Sequence, residues 1–164
     1  MAAVMAAGSA NAAEVVAIDP DPGKRALALE VGATATLPPD EFVRGIFPGG
    51  VDVAIEAVGS PEVLKTAFDA TAPGGMTVAV GLPPPTALMT LSPLQLVAES
   101  RVLAGSYLGS ADPERDIPEM IELWRKGHLP VERLRSHDVL LDDINLAMDE
   151  LHAGRVIRQL IIFE

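Results

Sequence analysis

Short apolar runs alternate with helical stretches along the first two thirds of the chain. EVVAID, from Glu14 to Asp19, is a buried-strand pattern that stops at Pro20. Asp21 and Pro22 supply an N-cap and a first-turn proline for a helix through Val31, with Gly32 as its stop. Residues 33–37 predict a short strand, and 40–47 a short helix ended by Pro48-Gly49-Gly50. VDVAIEAVG, from Val51 to Gly59, is a near-continuous apolar strand; Ser60-Pro61 then opens a helix toward Ala72, which Pro73-Gly74-Gly75 breaks. MTVAVGL, from Met76 to Leu82, predicts the next strand. Three prolines, Pro83 to Pro85, form an extended surface turn, followed by a strand near 88–91, a short helix over 93–98 and a strand over 102–108. Strands apolar on both faces, separated by helices, predict a parallel sheet covered by helices.

The last third has a different texture. Asp112-Pro113 opens a helix with Ile117, Met120, Ile121 and Trp124 at helical spacing. Asp142 caps another, with Ile144, Ala147, Met148 and Leu151 on one face; Gly154 ends it, and 156–163 forms a final strand. Met120 and Met148 are assigned to the core on their spacing. The opening MAAVMAAGSANAA lacks the basic flank of a secretory signal, since no Lys or Arg precedes Lys24, and Glu14 closes the run. It predicts a small-residue helix packed against a sheet. No apolar run approaches the ~18 residues of a membrane span, and the expected location is cytoplasmic.

Composition narrows the function classes. The length of 164 residues suits one domain, and 49% hydrophobic residues are too many for disorder. Twelve Lys and Arg against 23 Asp and Glu give a net charge of −11, which argues against nucleic acid and against anionic membrane surfaces as partners. The absence of cysteine excludes disulfides, Cys-zinc sites and thiol catalysis. His128, His137 and His152 stand at no recognised metal-ligand spacing apart from the adjacent His137-Asp138, and are read as surface or turn residues. No G-x-S-x-G supports an esterase.

Asp19 carries the most information. An acid at the carboxyl end of the second strand of a dinucleotide fold accepts hydrogen bonds from the adenosine ribose, and its charge repels a 2′-phosphate, favouring NAD over NADP. Asp19 also fits a loop residue that merely begins a turn before Pro20. Lys24 stands within reach of the same ribose, or is a solvated helix lysine. Glu56, in the middle of an apolar strand, is either a buried carboxylate with a role or a side chain turned out at the strand end. The glycine fingerprint that should precede Asp19 is missing: Gly8 stands alone in the first helix, and no G-x-G-x-x-G occurs.

Asp19 followed by Lys24, then VDVAIEAVGSPE, APGGMTVAVGLPP, GSYLGS and AGRVIRQLI, resembles the zinc-dependent alcohol dehydrogenases of the medium-chain dehydrogenase/reductase family over nearly the whole chain. The resemblance implies an α/β, Rossmann-type doubly wound parallel sheet lacking its first strand and glycine loop. A partial NAD-binding domain would span 1–108, and 109–164 would be the C-terminal segment of a catalytic domain whose remainder, with the zinc ligands and proton relay, would lie before Met1. The missing first strand would belong between the strands that end at Asp19 and Val58, so their direct pairing, or oligomerisation, is expected to relieve the gap.

The resemblance also assigns roles. Asp19 and Lys24 would contact the adenosine ribose, with Pro20 beside the adenine and Val58 on the adenosine side. Val80, Gly81 and Leu82 would pass under the nicotinamide, Leu108 would bind its carboxamide through the backbone, and Arg158 would pair with the pyrophosphate. Leu82 and Tyr107 would line the substrate pocket, and 86–107 would form a homodimer contact. No catalytic residue and no metal ligand is expected in this chain. The parent reaction would be hydride transfer between a small alcohol or aldehyde and NAD, with zinc as Lewis acid. The chain alone is expected to be inactive. The alternatives are a non-catalytic interaction module complemented by a separate N-terminal half, a decayed gene product, and, more weakly, a Rossmann-like methyltransferase.

Overall fold

The computed structural model describes residues 1–41, 45, 47–107 and 110–163. Helix α1 (Ala2–Ser9) leads into strand β1 (Val16–Ile18), helix α2 (Pro22–Glu30) and strand β2 (Ala35–Leu37). The start of α2 is the one its sequence dictates, since the Asp21 side chain accepts from the Lys24 N–H and Pro22 fills the first turn. β1 and β2 pair in parallel, with Val16 opposite Ala35 and Ile18 opposite Leu37. Helices α1 and α2 cover one face of this ladder. Ala17, Ala28 and Ala33 are buried together against Met1 and Val4, and Met5 is buried with Val31 and Leu134. Small residues permit that approach: a Cβ added to Gly8 would stand 3.6 Å from the Gly32 Cα. The expected short helix over 40–47 falls largely on residues outside those described.

A second ladder follows, built from β3 (Val51–Glu56), β4 (Thr71–Ala79) and β5 (Val102–Gly105), all parallel. Helix α3 (Pro61–Ala70), capped by Ser60, connects β3 to β4, and α4 (Pro93–Glu99) precedes β5. Pro73-Gly74-Gly75 does not separate helix from strand as expected; β4 already begins at Thr71, and the register breaks between Val51↔Thr71 and Val53↔Met76. Gly74, at φ +77°, accommodates that bulge. The strand expected near 88–91 does not form. Leu88 is 89% exposed and among the described residues no strand runs beside it, so nothing rewards an extended ladder there. The strand expected over 102–108 ends at Gly105, and Leu108 lies outside the described residues.

The C-terminal part contains α5 (Pro113–Arg125), β6 (Arg135–Leu140), α6 (Ile144–His152) and β7 (Arg158–Ile162), with β6 and β7 paired in parallel. β6 was not expected. Its RSHDVL has little apolar signal, and it owes its extended form to the β7 ladder and to Ser136, whose Oγ accepts from the N–H groups of Ile157 and Arg158. Asp142 sits in a 3₁₀ turn and does not cap α6; Asp143 takes the N-cap position without a side-chain bond. Met120 and Met148 are 49% and 57% exposed, so neither belongs to the core.

The expected single sheet is thus three parallel ladders, and among the described residues β1 and β3 are not paired. The relief by direct strand pairing is absent. The expected cover is also one-sided. Helix α3 packs on one face of β3–β4–β5, while Val53, Ile55, Met76 and Val102 on the other are 40% exposed or more. The accessible surface is 10864 Å², against about 7,800 Å² for a folded monomer of this mass.

Candidate functional site

The Asp19 turn is defined by few donors. The Asp19 N–H reaches the Leu37 carbonyl at 3.2 Å, and the Asp21 N–H donates to Asp19 Oδ1 at 2.9 Å. The turn residue and the half-buried carboxylate at the end of β1 are therefore the same feature, and among the described residues Oδ2 has no hydrogen-bond partner. Backbone N–H groups of α2 hold the Asp21 carboxyl below its usual range, that of Lys24 foremost. Lys24 is half-buried, and its ammonium lies over Gly154, where an added Cβ would stand 3.3 Å from Nζ. Gly154 takes φ +70° just past α6. Lys24 thereby connects the Asp19 turn to the start of the GRVIR stretch. Arg158 is the exposed first residue of β7, and Pro20 is exposed.

A second constellation lies at the carboxyl ends of β3 and β4. Glu56 is only 2% exposed, and its Oε1 accepts from the N–H groups of Val58 at 2.6 Å and Gly59 at 2.7 Å. Its backbone carbonyl accepts from Val80 at 2.8 Å and from Gly81 at 3.1 Å. One residue therefore fixes both loops. The loops also touch: a Cβ on Gly81 would stand 2.1 Å from the Gly59 nitrogen, and one on Gly59, at φ +83°, would stand 2.7 Å from the Leu82 oxygen. Only glycine fits at either position. Val58 and Leu82, 73% and 77% exposed, project from this glycine contact as a solvent-facing apolar ledge. Beside it lies a cavity of about 120 Å³ lined by residues that include Glu56, Ser60, Leu64, Ala79 and Met89. That is small beside the usual ligand cavity of roughly 300–1,000 Å³.

Two groups are thus assembled, Asp19 with Lys24 and the Gly154 turn, and Val58 with Val80, Gly81 and Leu82. Tyr107 follows β5 and is 73% exposed. Glu56 and Gly59 are the site residues that the sequence left unassigned. The available signal was a carboxylate two residues before the loop that ends in Gly59. The histidines stay apart: the His137 ring contacts Gln159 at 3.1 Å and Glu150 at 3.5 Å, and the His128 carbonyl accepts from Ser9. Among the described residues no three His, Cys, Asp or Glu side chains converge as a metal site, so these side chains do not fit a zinc ion.

Residues 1–126 match the family model for zinc-binding dehydrogenases. The chain is 34% identical to a geraniol dehydrogenase of Castellaniella defragrans, over 99% of this chain and 45% of that protein. It superposes on a benzyl alcohol dehydrogenase of Acinetobacter calcoaceticus with a TM-score of 0.93 at 28% identity, over 99% of this chain and 46% of that one. On a zinc-binding dehydrogenase of Sinorhizobium meliloti solved with NADP, the TM-score is 0.85 at 29% identity, over 98% of this chain and 48% of that one. The chain spans about half the length of the relatives it matches. Its α/β architecture is that of their Rossmann-type coenzyme domain. No helix among the described residues is long and apolar enough to cross a membrane. From the family match over residues 1–126 and these superpositions, the chain belongs to the zinc-binding dehydrogenase family.

Proposed function

We propose that this chain supplies the dinucleotide-binding part, residues 1–108, of an alcohol dehydrogenase-like oxidoreductase, with 109–164 as the C-terminal segment of its catalytic part. The observation that carries this is the Asp19 carboxylate at the end of β1, with one oxygen spent on the Asp21 N–H and the other available to a ribose hydroxyl. Lys24 and Pro20 would complete the adenosine side with Val58, and Arg158 would meet the pyrophosphate. The close glycine contact of Gly59 and Gly81 supports a flat nicotinamide ledge over Val80–Leu82, with Leu108 on the carboxamide and Leu82 and Tyr107 toward a small alcohol or aldehyde. NAD, when bound, supplies the hydride acceptor. The protein's residues bind and orient it.

Among the described residues no zinc site is assembled, and the chain by itself is expected not to turn over alcohols. Incubation with NAD, zinc and ethanol or benzyl alcohol should give no NADH absorbance; steady turnover would refute the inactivity. Binding is expected to be weak, because the sequence holds no glycine loop for the pyrophosphate. In a thermal-shift comparison, millimolar NADH should raise Tm and S-adenosylmethionine should not. The reverse would favour a methyltransferase.

A complementation role is a second reading, supported by the lack of pairing between β1 and β3 among the described residues and by the exposed Val53 and Ile55 face. A separate N-terminal half carrying a strand, a glycine loop and a zinc site should co-purify with this chain and restore turnover; failure of both would remove that reading. The exposed Leu88, Leu94 and Val97 support a homodimer contact through 86–107. A monomeric sedimentation coefficient at high concentration would contradict it.

A further inference from the structure

We infer that Arg25 is a positioning residue for the Asp19 carboxylate, and through it for the preference between NAD and NADP; the inference rests on the dinucleotide reading above. The Asp19–Pro22 turn is poor in donors. Pro20 and Pro22 have no N–H, the Asp19 N–H is committed to Leu37 and the Asp21 N–H to Asp19 Oδ1. Among the described residues the carbonyls of Asp19 and Pro20 have no backbone partner. Arg25, in the first turn of α2, provides one: Nη1 donates to the Asp19 carbonyl at 2.7 Å and to the Pro20 carbonyl at 3.0 Å. The arginine backbone is itself anchored, its N–H reaching the Asp21 carbonyl at 3.0 Å. One guanidinium nitrogen thus clamps two consecutive peptide units next to the carboxylate that would read the ribose.

The clamp has two consequences for the cofactor. It fixes the backbone from which Asp19 projects, so the ordering of that side chain is complete before a ligand arrives. It also keeps Arg25 on carbonyls. Among the described residues Arg25 makes no ion pair with Asp19, so the guanidinium neither occupies that carboxylate nor is presented to a 2′-phosphate. The Sinorhizobium meliloti relative was solved with NADP, so the choice between the two dinucleotides is a pertinent one here. In this chain the clamp favours NAD.

The test compares the full chain with Arg25→Met, which keeps the aliphatic stem, and with Arg25→Lys, which keeps a single cationic donor nitrogen. NADH and NADPH are titrated into each, and amide exchange is followed at Asp21. Arg25→Met should weaken NADH about fivefold, because the two charge-assisted hydrogen bonds that order the turn are lost while the Asp19 carboxylate itself remains, and narrow the NADH-over-NADPH preference. Arg25→Lys should fall between. In an Asp19→Asn background Arg25→Met should cost nothing further, because its effect runs through that carboxylate. Asp21 exchange should quicken in Arg25→Met even without cofactor. An unchanged Asp21 exchange, or an equal loss in the Asp19→Asn background, overturns the inference alone. Wild-type protein that binds neither dinucleotide overturns the dinucleotide reading, and the inference with it.

Discussion

The β3–α3–β4–β5 unit and the C-terminal segment from α5 to β7 are both parallel α/β arrangements, yet they are held together differently. In the first, Phe68, Thr71 and Thr77 are completely buried, and the two threonine hydroxyls share a 2.7 Å hydrogen bond. Arg101, only 6% exposed, lies 5.3 Å above the Phe68 ring, donates to the Phe68 carbonyl and pairs with Glu99. In the second, the buried apolar side chains among the described residues are Leu134, Val139 and Ala147. Its ion pairs, Arg125–Glu122 and Arg135–Asp138 among them, are solvent-exposed and contribute little. What order it has is partly shared with the N-terminal helices. Leu134 packs on Met5 and Val31, the Ser9 hydroxyl donates to the His128 carbonyl at 2.7 Å, and Arg133 meets Glu30 at 3.3 Å. The first region organises the candidate ledge from its own interior; the second depends on its neighbours.

Phe68→Ala should break that comparison most severely. It should destabilise the β3–β5 unit by about 3–5 kcal/mol, with loss of amide protection throughout β3 and β4 by hydrogen exchange. Protection in β6 and β7 that fell equally would mean the two regions are one cooperative unit. Glu56→Ala should follow at about 2–4 kcal/mol, since it strands the N–H groups of Val58 and Gly59. It should also weaken NADH, and an unchanged Tm in urea-free scans would show that the Glu56 contacts do not hold the loops. Met120→Ser on the open face of α5 should shift stability by less than about 0.5 kcal/mol. A large loss would mean that this face is covered in solution.

The smallest effect belongs to Asp21. Its carboxyl is held below the usual value of 3.8, so the stabilisation is fully present above that pH and is lost as pH falls through the lower folded value. Asp21→Asn should therefore melt slightly earlier than wild type at pH 7, with the gap narrowing as the pH falls below 3.8 through the lower folded value. A gap that does not narrow as the pH falls below 3.8 would mean that the carboxylate charge is not what caps α2.

Much of the fold was legible because its signals are local. Asp21-Pro22, Ser60-Pro61 and Asp112-Pro113 each place a capping side chain before a first-turn proline, and each opens a helix. VDVAIE and the apolar run after Gly75 carry the strand pattern without help. β6 was illegible because its extended state comes from β7, a partner distant in the sequence, and the strand expected at 88–91 failed because among the described residues no partner lies beside it. Met120 and Met148 show the limit of periodicity, which marks an apolar face but not whether anything covers it. In the candidate site, Asp19 could be found from its place after a strand. The work of Glu56 and Arg25 could not, since it consists of contacts with backbone atoms that exist only once the turns are closed.

The most direct test of the dinucleotide assignment is an amide NMR titration of the full chain with NADH. The account predicts weak, saturable shifts that move together at Asp19–Lys24 and at Val58–Gly59 and Gly81–Leu82, and that vanish in Asp19→Asn. Shifts absent at both places, or unchanged by Asp19→Asn, would contradict it.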